Sequence, residues 1–171
     1  ILNRLSRLSR WDVMVKVVCR LKSLARPRDA DDALVERRRA AEVFILRLVQ
    51  SSAYPDEIDD LTHGRPVRSS STLHSFSPVL GPDGLLRVGG RLRKSSLPDS
   101  VKNPVILPKD SFVTVAIIRH LHNSLHHQGR GQTLNHVRTS GYWIIGGPRL
   151  VTSIVKSSVT CRRLRRRLES Q

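Results

Sequence analysis

Aromatic residues are scarce in this sequence, at 4% of 171 residues, so any core must be built mainly from aliphatic side chains. The hydrophobic share of 39% allows a core without making it a generous one. Two cysteines, Cys19 and Cys161, cannot form a disulfide framework and fit a reducing compartment better. No run approaches the ~18 apolar residues needed to cross a bilayer, and no apolar stretch near the start reads as a signal peptide. These absences point to an intracellular protein of the nucleus or cytoplasm, neither secreted nor held in a membrane. Beginning at Ile1, the chain reads as a fragment or a processed piece. Acids are also few. The 14 Asp and Glu face 30 Lys and Arg, for a net charge of +16. Because the surplus is clustered, a polyanion is the expected partner, nucleic acid before membrane. A charge surplus that only confers solubility is the competing explanation.

What is present suggests an α+β chain, mainly α. Residues 1–64 read as a helical connector segment. Trp11, Met14, Val15, Val18 and Leu21 recur at helical spacing, and Pro27 closes that helix. Asp29, Asp31 and Asp32 place negative charge where a second helix would begin. Its apolar positions include Leu34, Ala41, Phe44, Ile45 and Leu48, with Arg37, Arg38 and Arg39 mainly on the solvated side. Residues 65–73 are a loop. Residues 74–108 form a small β region, expected to be an antiparallel sheet. Its strands are Phe76 to Leu80, Leu85 to Leu92 after the turn Gly81-Pro82-Asp83-Gly84, and Pro104 to Pro108. Residues 109–171 turn helical again. Asp110 or Ser111 can cap a helix through Leu125. A short helix spans Gln132 to Thr139, Tyr142 to Ile145 is an apolar link, and Pro148 starts another helix.

Five of the seven histidines fall between 120 and 136. His122 and His126 are i and i+4 on one helix face, so both can reach one metal. His122 and His127 are an alternative pair, the second just past the helix end, and tetrahedral zinc accepts either. His120 and His136 read as surface or boundary residues.

The order Leu85-Leu86-Arg87-Val88-Gly89-Gly90-Arg91-Leu92, Pro104-Val105-Ile106-Leu107-Pro108, His122 to Gly129, Gly141-Tyr142-Trp143-Ile144 and Val159-Thr160-Cys161-Arg162 resembles BEL/Pao-type retrotransposon polyproteins. The similar region lies between their reverse transcriptase/RNase H part and their integrase core. The resemblance covers roughly residues 74–171, with a looser likeness from Ser9-Arg10-Trp11 onward. It implies a three-helix, helix-turn-helix type zinc-binding domain over 109–171. It also implies ligands His122, His127 and Cys161, with Ser158 where the family has a fourth, cysteine ligand. A serine hydroxyl stays protonated near neutral pH and binds zinc poorly. Three arrangements remain open. Zinc can sit on three protein ligands plus water, or His126 can substitute as the fourth. Otherwise the site holds no metal, and Leu121, Leu125, Trp143, Ile144, Ile154 and Val155 hold the fold.

The C-terminus carries Arg162, Arg163, Arg165, Arg166 and Arg167 around Leu164, on a helix or a tail. Such a segment binds phosphates through charge without reading sequence. Nuclear targeting and a solvated tail are the competing readings. The resemblance implies a module that assists integrase assembly and contact with DNA, among other integrase or polyprotein segments. Family integrases carry their catalytic carboxylates after this domain, but only Glu169 follows Cys161 here. The clusters Asp29, Asp31, Asp32 and Asp56, Glu57, Asp59, Asp60 read as helix-start and surface charge. No Gly-x-Ser-x-Gly or phosphate loop suggests other catalysis. The expectation is therefore a non-catalytic integrase fragment. The alternative is a domesticated or decayed metal-free protein-interaction module.

Overall fold

The computed structural model describes residues 5, 8–23, 32–89 and 102–168. It is α+β and mainly helical, with seven helices and a small four-stranded mixed sheet delimited among the described residues.

Helix α1 runs Trp11–Ser23 and α2 runs Asp32–Ala53. Asp12 in the first turn of α1 pairs with Arg10 at 3.0 Å. The two helices pack through Trp11, Met14, Val15 and Val18 against Ala41, Ile45, Leu46 and Val49, all buried. Each Val, Leu, Ile or Met among them contributes roughly 1.5–3 kcal/mol when fully removed from water. Leu21 and Leu34, expected in the core, are instead 62% and 61% exposed. Both lie in turns flanking residues 24–31, past the last core residues of the pair, so helical period alone does not bury them. Pro27, Asp29 and Asp31 lie outside the described residues.

Helix α3 (Pro55–Thr62) starts with proline at a position whose N–H has no helical partner to lose. Asp60, read as surface charge, is buried and pairs with Arg65 at 3.1 Å and Arg68 at 3.7 Å. Ser71 Oγ also donates to Glu57 at 2.5 Å. These contacts fasten the 65–73 loop to α3.

The sheet order is β1 (Val79–Leu80), β2 (Leu86–Arg87), β3 (Val105–Leu107), β4 (Tyr142–Ile144). The first strand is shorter than expected. Phe76 ends a single 3-10 turn, Ser77 is left-handed at φ 44°, and Pro78 has no N–H to give a ladder. The Gly81–Gly84 turn closes with Gly84 N–H donating to Gly81 O at 2.8 Å, and Gly84 at φ 65° takes the left-handed position. The expected return strand spans only two residues. Beyond it, a side chain at Gly89 would collide with Ser77 O, and Gly90, Arg91 and Leu92 lie outside the described residues.

The expected antiparallel sheet is corrected to a mixed one. β1–β2 and β2–β3 are antiparallel, but β4 pairs parallel to β3 with Val105, Ile106 and Leu107 opposite Tyr142, Trp143 and Ile144. The segment read as an apolar link is therefore a strand. Two helices separate β3 from β4, and such a crossover returns the chain in the same direction.

Gln50 of α2, fully buried, ties the sheet to the helical layer. Its Nε2 donates to Leu86 O at 2.9 Å and Ile106 O at 2.8 Å, while its Oε1 accepts from Leu86 N–H at 2.8 Å. Strand alternation splits the β3 side chains. Ile106 joins Leu86, Tyr54 and Leu73 in one cluster, whereas Val105 and Leu107 join the main core.

The remaining helices are α4 (Phe112–Ser124), α5 (Arg130–Thr139), α6 (Gly147–Ser157) and α7 (Val159–Leu168). Ser111, not Asp110, caps α4 by accepting from Val113 N–H at 3.2 Å. Helices α4, α5 and α6 pack on one another, and α1 packs on α4. The main hydrophobic cluster runs from Leu5 to Cys161, across the 64/65 and 108/109 divisions marked by composition. No helix among the described residues is long and apolar enough to cross a membrane.

Candidate metal centre

The chain folds back on itself where α4 ends. Leu125 closes the helix, and His126 and His127 follow with φ of 51° and 63°. Two successive left-handed residues reverse the chain, and His127 N–H donates to His122 O at 3.2 Å. The reversal brings the His127 ring edge-on to the His122 ring at 4.9 Å between centroids. Cys161 arrives from the first turn of α7. Its Sγ lies 3.1 Å from His122 Nε2 and 3.8 Å from His127 Nδ1. One ligand atom from each of His122, His127 and Cys161 lies within 4.8 Å of the others. Tetrahedral zinc at ordinary bond lengths sets its N and S ligands about 3.4–3.6 Å apart, and the two distances from Cys161 Sγ, 3.1 and 3.8 Å, bracket that spacing.

The protonation pattern suits a metal. Thr133 Oγ1 has one proton, directed at Gln128 O and Gly129 O, both 3.2 Å away. In the tautomer with His122 Nδ1 protonated, Thr133 Oγ1 accepts from it at 2.9 Å. That leaves the Nε2 lone pair aimed at Cys161, the tautomer fixing that outer groups impose on metal-binding histidines. Burial holds the His122 pKa below its ordinary value, and the neighbouring His127 adds to the effect. Both favour the neutral imidazole that a metal requires. Thr133 escapes sequence reasoning because it sits eleven residues from His122 with no motif linking them.

Ser158 lies beside this group, its Oγ 3.4 Å from His127 Nδ1. It has a second role in the chain. The residue precedes α7 in extended conformation and accepts from Cys161 N–H at 3.4 Å. A serine accepting from the third helical N–H is an N-cap. His126 is exposed and takes no place in the group. His120 and His136 are half-buried and also outside it. Arg162 and Arg163 are exposed on α7. The backbone at Arg165, Arg166 and Arg167 continues this helix, while their side chains lie outside the description, as do Glu169 and Gln171.

Comparison with protein-family models, with curated proteins and with solved structures finds no match to this chain.

Proposed function

We propose that this chain is a non-catalytic part of a retrotransposon integrase, of the BEL/Pao-like type. Its degenerate His-His-Ser-Cys zinc module would assist DNA binding and integrase assembly. The observation that carries this reading is the convergence of His122, His127 and Cys161, from two separate regions of chain, on one metal-sized volume. Ser158 beside His127 supports it, since the resembling family has a cysteine at that place in the sequence. Zinc bound to these three would act structurally, drawing the α4–α5 turn and the start of α7 together. Structural zinc contributes on the order of 10 kcal/mol with a full ligand set, and one lost thiolate reduces that. The exposed Arg162 and Arg163 give the module a cationic face for phosphates.

A second reading, a metal-free protein-interaction module, draws support from the same residues. Among the described residues, every buried side-chain nitrogen and oxygen already has a hydrogen-bond partner without an ion. Elemental analysis of the dialysed full chain separates the two, together with DNA affinity measured across salt concentrations. Near one zinc per chain and a log–log salt slope of about −4.5 on duplex DNA, for some five phosphate contacts, supports the integrase reading. No zinc and no salt-dependent DNA affinity overturns it.

A further inference from the structure

Zinc closed by four protein ligands takes no other partner, whereas zinc on three keeps a place for an exogenous ligand. Here the fourth neighbour is the Ser158 hydroxyl, a weak ligand already engaged in capping α7. Two of the three ligand residues, His127 and Cys161, also line an open groove of about 430 Å³. That size falls in the range of small-molecule sites, roughly 300–1,000 Å³. The charged side chains of its wall are Arg130 and Lys156, both cationic, and Val155 and Leu164 supply apolar surface.

We infer that the chain holds its metal on three protein ligands and binds a phosphate oxygen at the fourth position, reached from this groove. The inference rests on the metal reading above. Its physical basis is charge: the metal and the two groove cations all favour an anion, and phosphate oxygens are hard donors that zinc accepts. Loss of the fourth thiolate thereby converts a closed structural centre into a ligand-binding one. Inorganic phosphate and the phosphodiesters of nucleic acid share this chemistry.

Cobalt(II) reports the coordination directly through its visible spectrum. The full chain is titrated with cobalt, then with inorganic phosphate or with a short DNA duplex. The expected result is one cobalt per chain and a spectrum that shifts with added phosphate groups. A shift with inorganic phosphate identifies a free-phosphate site, and a shift with DNA alone identifies a backbone contact. Ser158→Cys should take up cobalt and lose the shift. Arg130→Ala and Lys156→Ala should keep the cobalt and weaken the phosphate response, each by about fivefold for one lost charge near the surface. Cobalt bound at one per chain with a spectrum unmoved by either probe overturns this inference alone, as does an undiminished response in Ser158→Cys. A chain that takes up no cobalt overturns the metal reading and this inference with it.

Discussion

Replacing Gln50 with leucine tests whether one side-chain amide joins the sheet to the helices. Leucine matches glutamine closely in size and leaves little cavity, so the perturbation is almost purely polar. It removes three hydrogen bonds, to Leu86 O, Ile106 O and Leu86 N–H, all at 2.8–2.9 Å and all buried. At about 1 kcal/mol net per bond the loss is about 3 kcal/mol. Each backbone group stranded away from water can add to that. Small domains are stable by only about 5–15 kcal/mol, so the variant should be clearly weakened while still folding. The assay is urea unfolding followed by the fluorescence of Trp11 and Trp143. The expected change is a lower midpoint with an unchanged slope. A loss below about 1 kcal/mol would mean that water reaches Leu86 and Ile106, and the reasoning would fail.

Thr133→Val leaves the fold packed but removes the acceptor of His122 Nδ1–H; zinc affinity, read by chelator competition, should fall about tenfold or more. An unchanged affinity would show that Thr133 does not set the tautomer. Ser158→Ala deletes the α7 cap and should cost about 1 kcal/mol of stability in metal-free protein, and equal midpoints for the two chains in urea would refute the capping role. Burial raises the pKa of Tyr54 to about 12, with Glu57 and Asp110 adding to it, and burial with Glu42 does the same for Tyr142. Both folded values lie above the unfolded value of 10.0, so their contribution is complete below pH 10 and is lost as pH rises from 10 toward 12. The phenolate absorbance of these two tyrosines should therefore titrate late and together with unfolding. A midpoint near 10 in folded protein would contradict their burial.

Helical period and chain-breaking residues were sufficient to place α1, α2, α4 and α6, because a helix buries one stripe and ends at local signals such as Ser111 and Pro148. Family resemblance at His122, His127 and Cys161 marked residues that the fold then brings together. Arg162 and Arg163 lie exposed on a helix, one of the two forms allowed for that segment.

Other features depend on partners far along the chain. Tyr142–Ile144 is too short to reveal a period of two, and its parallel pairing exists only because β3 offers an edge. Gln50 reads locally as one more polar residue in α2, yet its partners lie 36 and 56 residues away. Ser158 carries a local capping signal, but its position beside His127 requires a reversal 31 residues earlier. Composition and period determined which segments are helical, where turns fall and why the chain is cationic, since these follow from neighbours within a few residues. Only the tertiary structure decided the strand order, the burial of Gln50 and Asp60, the exposure of Leu21 and Leu34, and the Thr133–His122–Cys161 chain, because hydrogen bonds and burial depend on proximity in space.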